Sequence, residues 1–332
     1  MKAVQITHAG GPEVLRSVDC PLPVAGRKEV LVQVAAAGVN RPDIQQRKGL
    51  YPPPPGASEI PGLDIAGVVV AVGAGVSRWQ VGDPVCALVQ GGGYAEFCVA
   101  PEEQCLTVPR GFSFEQAASL PEVFFTAWNN LLDHGRLTDR ETVLVQGGSS
   151  GVGLAAIQLA RVLRNARVVV TASSEEKRRA AREAGAELAV DYRQSDWPQE
   201  IRSLLGHECI DVILDSQAGD YVQPEIELLA TGGRLVLIGL HRGDRADVDL
   251  RSIVYRRLTL TGSTIRARDA AFKGRIARQL EAQVWPRLSD GTIITRIHRV
   301  FELDDVAEAH QVLDSNQQIG KVVLQVDRRL TT

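Results

Sequence analysis

The residues with the clearest capacity for chemistry are Gly148-Ser149-Ser150-Gly151-Val152-Gly153. They stand directly after the apolar run Val143-Leu144-Val145. They stand directly before a segment in which Val152, Ala156, Leu159, Ala160 and Leu163 recur at helical spacing. Strand, glycine turn and helix in that order aim the helix's first amides, and the positive end of its dipole, at whatever the turn holds. A dinucleotide pyrophosphate binds in such a setting. Gly151 and Gly153 carry no Cβ, so backbone can approach a ligand and helix can pack close on sheet. The run departs from G-x-G-x-x-G at Ser150, and a plain Gly/Ser turn is the alternative. The expected cofactor contacts here are Gly148, Ser150, Gly151, Val152 and Gly153.

The second strand of such a unit decides which nicotinamide is held. NAD sites place an Asp or Glu at its tip, about 20 residues past the glycines, for the ribose 2′-OH. This strand ends Val170-Thr171-Ala172-Ser173-Ser174, with no acid at the tip. Lys177 and Arg178 follow within a helical turn, and Tyr192 ends the next strand. A 2′-phosphate calls for hydroxyl donors and cations and is repelled by a carboxylate. Ser174, Lys177 and Tyr192 supply that set, so the expected cofactor is NADPH. The rival assignment makes Ser173 an N-cap, Lys177 a solvated helix residue and Tyr192 a strand-end aromatic. Glu175 and Glu176 favour that rival, since acids in a first helical turn need no ligand.

These groups need elements to position them. The chain has 332 residues, room for about two domains, and 44% hydrophobic and 23% charged residues, ordinary for a globular protein. Net charge is −3 with no basic block, which argues against nucleic acid as a partner. No stretch approaches the roughly 18 apolar residues that would cross a bilayer. The N-terminus reads as a strand without a signal-peptide core, so the expected location is cytoplasmic. Cys20, Cys86, Cys98, Cys105 and Cys209 form no C-x-x-C and read as buried free thiols. His134, His241 and His310 show no metal spacing and read as surface or structural residues.

Two textures divide the chain. Residues 1 to about 120 hold short β-like runs, among them Val30–Val34, Gly67–Val72 and Pro84–Val89, broken by Gly and Pro. From Glu141, strands alternate with helices: Val143–Val145, Arg167–Thr171, Leu188–Asp191, Asp211–Asp215, Arg234–Gly239 and Leu258–Thr261. Ser173-Ser174-Glu175-Glu176 reads as a capping box. The expected fold class is α/β, a doubly wound parallel Rossmann sheet beside an irregular β-rich domain. Lys273–Val284 and Asp304–Leu313 read as helices, Ile293–Phe301 and Lys321–Val326 as strands, all returning to the first domain. The expected division is 1–121 with 264–332, and 122–263. Gly239 ends the fifth strand at the carboxyl edge of the sheet, where such ligands bind.

Ala37-Gly38-Val39-Asn40-Arg41-Pro42-Asp43, Ile60–Val68, Val81–Val85, Gly92-Gly93-Tyr94-Ala95-Glu96, Gly147–Gly153 and Ile319–Leu324 together resemble the medium-chain dehydrogenase/reductase superfamily, in its zinc-free quinone oxidoreductase branch. The likeness covers nearly the whole chain. Gln46–Ser58 is most similar to the stress-inducible, zeta-crystallin-related members, and the family's glycine turn commonly lacks the second glycine. The resemblance implies a GroES-like catalytic domain and an active site in the cleft between the domains. Zinc-dependent relatives place a Cys near Asn40 and a His–Glu pair near Leu63-Asp64. Asn40 and Leu63 cannot supply that first shell, and the structural zinc lobe is replaced by Gly91-Gly92-Gly93-Tyr94, so no metal is expected.

Without a metal, hydride transfer needs an acceptor that is already electrophilic: a quinone, or an enal or enone whose carbonyl is polarised. The resemblance places Asn40–Tyr51 beside the nicotinamide. Asn40 could donate to a carbonyl. Tyr51, stiffened by Pro52–Pro55, could stack on the acceptor or donate to it. Asp43 completes the catalytic candidates, as a proton donor or as a group orienting Arg41 or backbone. Turn and cap chemistry for Asn40 and Asp43, and packing on the prolines for Tyr51, are the alternatives. Thr126, Thr264, Arg266 and Lys321 are further implied cofactor contacts, with plain solvation the alternative for the last two. The edge strand Leu258–Thr261 implies a homodimer. A non-enzymatic NADPH-binding sensor, structural or RNA-binding protein is the rival from another class.

Overall fold

The computed structural model describes residues 1–193 and 196–331. Two compact units emerge, Met1–Phe125 with Ile265–Thr332, and Thr126–Thr264.

The first unit opens with an antiparallel pair, β1 (Lys2–Ile6) and β2 (Leu15–Asp19). Its organising strand is β3 (Glu29–Val39), whose run Val-Leu-Val-Gln-Val-Ala-Ala-Ala-Gly-Val is buried almost throughout. Helix α1 (Arg41–Arg47) follows at once. Then come β4 (Asp64–Val72), β5 (Pro84–Leu88), β6 (Phe97–Pro101), β7 (Cys105–Thr107), α2 (Phe114–Ala118) and α3 (Pro121–Trp128). β4 and β6 both pair antiparallel with β3.

The second unit is a six-stranded parallel sheet: β8 (Thr142–Gln146), β9 (Arg167–Ala172), β10 (Leu188–Asp191), β11 (Ile210–Asp215), β12 (Leu229–Leu237) and β13 (Thr259–Gly262). Helices α4 (Gly151–Arg164), α5 (Glu175–Glu183), α6 (Trp197–Leu205), α7 (Val222–Leu228) and α8 (Leu250–Arg256) make the connections. The strand order β10-β9-β8-β11-β12-β13 reverses direction at β8, which is the doubly wound arrangement, with β13 at the edge. The strands read as continuous Val/Ile/Leu runs because helices cover the sheet. Leu144, Val169, Val190, Ile213 and Leu235 form the core, beside Trp197 stacked on Tyr221 at 5.1 Å.

The chain then re-enters the first unit as α9 (Ala270–Gln283), α10 (Trp285–Ser289), β14 (Ile297–Glu302), α11 (Val306–Asp314) and β15 (Lys321–Gln325). β15 pairs antiparallel with β3 and completes the sheet order β14-β15-β3-β4-β5-β7.

Three local expectations need correction. β12 starts at Leu229, five positions before Arg234, because pairing with β11 continues across Gly232-Gly233 through a register shift. It ends at Leu237, so Gly239 lies beyond the strand rather than closing it. Helix α5 is capped by Ser174, whose hydroxyl accepts from the Lys177 amide, so the capping box starting at Ser173 is not the one formed. Cys86, Cys98 and Cys105 are buried free thiols, but Cys20 and Cys209 are only half-buried. Among the described residues no helix is long and apolar enough to cross a membrane.

Candidate active site

The glycine turn is held rigidly before any ligand enters. Gly147 sits at φ +74°, a left-handed conformation natural to glycine, and its amide donates to Thr171 Oγ1 at 3.3 Å. Gly148 N donates to Thr171 O at 3.0 Å. A Cβ on Gly153 would lie 2.5 Å from Gly147 O and 2.8 Å from Gly148 Cα, so α4 begins hard against the turn. Ser150 stands where a glycine was expected and has its own task. Its Oγ accepts from Gly153 N at 3.0 Å and donates to Gly147 O at 2.8 Å, capping the helix and closing the turn. The Gly151 and Val152 amides open the first turn, where no intrahelical carbonyl reaches. This cradle fits a diphosphate.

At the tip of β9 the expected trio separates in role. Ser174 is the N-cap of α5, and Tyr192 is 39% exposed. Burial lowers the Lys177 ammonium pKa, and the neighbouring Arg193 guanidinium lowers it further. Arg178 is committed elsewhere, its guanidinium on Asp191 Oδ2 at 2.6 Å and on Glu175 at 3.0 Å. β9 itself ends without an acid, but Asp191 of β10 lies in register with Ala172 and pairs with Arg193 at 3.9 Å, so the adjacent cations Lys177 and Arg193 face one carboxylate here. Tyr192 lies in the turn after β10, which ends at Asp191, and Arg193, the next residue of that turn, escaped the sequence reading.

In the first unit, Asn40, Asp64 and Lys321 converge. Asp64 opens β4, Lys321 opens β15, and β3, which ends one residue before Asn40, pairs with both strands. Asn40 Nδ2 donates to Asp64 Oδ1 at 2.7 Å, and Lys321 Nζ donates to Asn40 Oδ1 at 2.5 Å and to Asp64 Oδ2 at 3.1 Å. Asp64 is fully buried and Lys321 only 4% exposed, so Lys321 is an interior cation and not merely a solvated one. Both ends of the Asn40 amide are thus engaged within the chain.

Asp43 is also fully buried. It orients backbone rather than Arg41, which bonds Asn316 at 2.6 Å. Its Oδ2 accepts from Asn40 N at 2.8 Å and its Oδ1 from Gly62 N at 3.0 Å. Burial pushes its carboxyl up to about 6, against the opposing pull of these amides. A relay runs inward from Arg47: NH1 to His310 Nδ1 at 3.2 Å, His310 Nε2 to Tyr94 Oη at 3.2 Å, Tyr94 Oη to Asp43 at 3.2 Å. Arginine only donates, so Nδ1 accepts and the His310 proton sits on Nε2. His310 is therefore structural, and burial drops its pKa from 6.5 to about 3.

The sign of the resulting pH effect is definite. A folded-state histidine pKa below the unfolded value gives stability that is complete above about 6.5 and is lost as pH falls towards 3. Asp43, raised, acts in the opposite sense, so the two must be separated by mutation. The urea midpoint of wild type relative to His310→Gln should decline as the medium is acidified below the ordinary histidine range. A constant difference would remove this assignment.

Tyr51 is half-buried, with the Arg266 guanidinium 5.6 Å from its ring centroid. Burial, then the Glu122 charge, raises the Tyr51 pKa. Arg266 is 4% exposed, so it too is not merely solvated. Its Nε donates to Gln90 O and its NH2 to Gln46 Oε1, both at 2.8 Å. Glu122 was not anticipated. It begins α3, is 8% exposed, and burial followed by Asp64 pushes its carboxyl up to about 7. Of the remaining sequence candidates, Thr126 lies within α3 with its carbonyl accepting from Asn130 at 2.8 Å, and Thr264 is exposed after β13. Among the described residues no three His, Cys, Asp or Glu side chains converge as a metal site.

Comparison with known proteins identifies the family. Residues 26–110 match the alcohol dehydrogenase GroES-like domain, and residues 151–281 match the family described as zinc-binding dehydrogenase. A quinone oxidoreductase of Rattus norvegicus is 31% identical over 98% of this chain and 97% of its own length. A mycobacterial protein solved in complex with NADPH is 32% identical, with a TM-score of 0.88 over 98% of this chain and 100% of that one. A structure described as an NAD-dependent alcohol dehydrogenase is 33% identical, with a TM-score of 0.85 over the same shares. A GroES-like β unit, a doubly wound nucleotide-type sheet and full-length similarity to quinone oxidoreductases place the chain in the medium-chain dehydrogenase/reductase superfamily, as an oxidoreductase of its quinone oxidoreductase group.

Proposed function

We propose that the protein is a metal-independent NADPH:quinone oxidoreductase. The observation that carries this reading is the Asn40–Asp64–Lys321 cluster. Asn40 and Asp64, which the resemblance sets near the ligand positions of zinc-dependent relatives, are instead taken up in a buried, internally satisfied ion pair with Lys321. Nothing there would stabilise the alkoxide of a simple alcohol as a zinc ion does. The acceptor must then be activated already, as a quinone is.

NADPH, when bound, supplies a hydride. The chain's own residues do the rest. The α4 amides and Ser150-capped turn hold the diphosphate, while Ser174, Lys177, Arg193 and Tyr192 receive the 2′-phosphate. Asn40 acts as a positioning residue through Asp64 and Lys321. Asp43 fixes the start of α1 through the Asn40 amide, and with it the loop that carries Tyr51. Tyr51 offers a flat face and a hydroxyl to the acceptor. The exposed-edge placement of β13 supports a homodimer, which light scattering in solution would measure directly.

Steady-state oxidation of NADPH by 1,4-benzoquinone, 9,10-phenanthrenequinone and a panel of enones tests the reading, with metal analysis of the same sample. Quinone turnover without zinc is the expected result. Preference for enones would replace quinone by an enone as substrate. Binding of NADPH without any turnover would favour a non-enzymatic role, and stoichiometric zinc would overturn the metal-free chemistry. Lys177→Ala should raise the KM for NADPH about tenfold, as expected for loss of a charge-assisted contact. It should leave the KM for NADH unchanged. An equal effect on both would remove the phosphate assignment.

A further inference from the structure

Among the described residues of the first unit, four buried polar atoms have no hydrogen-bond partner within the chain: the amide oxygens of Gln104 and Gln318, and two atoms of ionisable groups, Arg266 NH1 and Glu122 Oε2, the pair of interest. These last two are of opposite character, one a donor and one a carboxyl oxygen. Buried unsatisfied groups are costly and are retained where something else completes them. The rest of the Arg266 fork is pinned by Gln90 O and Gln46 Oε1, so its free edge has a fixed direction. Its guanidinium also lies against Tyr51. Lys273, fully buried, donates to the Arg266 carbonyl at 2.8 Å and holds that backbone in place.

We propose that Arg266 and Glu122 are the acceptor-reading pair, Arg266 NH1 donating to the acceptor's carbonyl oxygen and Glu122 delivering the proton that this oxygen, or the enolate derived from it, must gain. This rests on the reading of the protein as a reductase of conjugated carbonyls and assigns residues to it. Hydride arriving from a reduced nicotinamide forms one C–H bond on the acceptor. The displaced π pair moves onto oxygen, which becomes an oxyanion paired with Arg266. The Glu122 O–H bond then breaks, its proton goes to the acceptor, and the resulting carboxylate is reprotonated by water. Glu122 is suited to this because it is neutral at weakly acidic pH yet surrendered near neutrality. Burial raises it to about 7, Asp64 and Asp43 push the same way, Lys321 and Lys273 oppose them, and it also senses Tyr51 and Arg266.

Binding of 4-nitrophenol to the protein without nucleotide, in weakly acidic buffer, reads the Arg266 half through the visible absorbance of its phenolate. Wild type and Glu122→Gln should both promote the phenolate, Arg266→Lys should retain part of the effect, and Arg266→Met should bind it at least about tenfold more weakly, as for a lost charge-assisted bond. The Glu122 half is read by infrared titration. A protonated-carboxyl band present in acid and lost through about 7 should be missing from Glu122→Gln. With enones, Glu122→Gln should cut kcat about a hundredfold, as for loss of a general acid, with a smaller loss on quinones, whose reduced anion water can protonate. The wild-type decline in kcat above about 7 should vanish in that variant. Folding of each variant is checked by circular dichroism, and Glu122→Gln, nearly isosteric, keeps the test intact if Arg266→Met fails to fold. Unchanged nitrophenol binding in folded Arg266→Met, or an unchanged pH profile and infrared titration in Glu122→Gln, overturns the pair. Phenolate binding that needs Arg266 without any NADPH turnover would sink the proposed activity and leave this site standing.

Discussion

Gly153→Ala should weaken NADPH binding about a hundredfold, a loss of roughly 2.7 kcal/mol. The added methyl would meet Gly147 O at 2.5 Å and Gly148 backbone at 2.8 Å. Those are main-chain atoms, so no rotamer can relieve the clash. The first turn of α4 must move away from the glycine turn, and overpacking of this kind costs about 1–3 kcal/mol. The Ser150 Oγ to Gly153 N bond is lost in the same step, together with the aim of the Gly151 and Val152 amides. Gly232→Ala is the matched control. It has a left-handed backbone at φ +79° but nothing within 4 Å of its would-be Cβ, so it should lower stability slightly and leave nucleotide affinity untouched. Titration of each variant with NADPH by fluorescence decides the matter. Affinity of Gly153→Ala within a factor of two of wild type would show that the turn is not the diphosphate cradle.

Lys321→Met should destabilise the first unit by about 3–5 kcal/mol, the usual consequence of stranding one member of a buried ion pair. Asp64 is fully buried, and without the ammonium it would keep only the Asn40 amide and the Glu122 N–H at 3.3 Å. Its surroundings cannot open easily, since the Gly38 backbone packs against the Asp64 carboxylate closely enough that a Cβ there would fall 2.2 Å from Oδ1. Adding Asp64→Asn should restore most of the loss, because the orphaned charge is then gone. Urea unfolding of the two single variants and the double variant closes the cycle. Additive losses would mean that Asp64 and Lys321 are not coupled.

What could be read from sequence follows from which interactions are local. The turn at Gly147–Gly153, the alternation of strand and helix, and the acid-free tip of β9 are written in contiguous residues, and the parallel sheet then follows from chain connectivity. Ser150 was legible as a departure, though not as the cap it forms. The buried polar cluster was not legible. Asp64, Lys321, Arg266, Glu122 and Lys273 are residue types usually found in water, and a single sequence says nothing of which of them face one another. The meeting of Lys321 with Asn40 and Asp64 depends on β15 docking beside β3, and that of Arg266 with Gln46 and Gln90 on segments far apart in sequence. Glu122 in particular stands at an ordinary helix start, where an acid is expected for reasons of dipole alone.

That docking has a consequence for how the chain comes to exist. β3 is made before β15, with the whole of Thr126–Thr264 between them, and until β15 emerges Val39, Gly38 and Ala37 lack the neighbours Val322, Val323 and Leu324. The parallel sheet of Thr126–Thr264 lies wholly within the interval, and all its strands are available first. Synthesis therefore favours the nucleotide-type unit maturing while the β-rich unit waits with an open edge and a long loop still to close. Loss of β15 would leave one unit able to fold and the other exposing apolar strand, a state prone to aggregate rather than merely inactive.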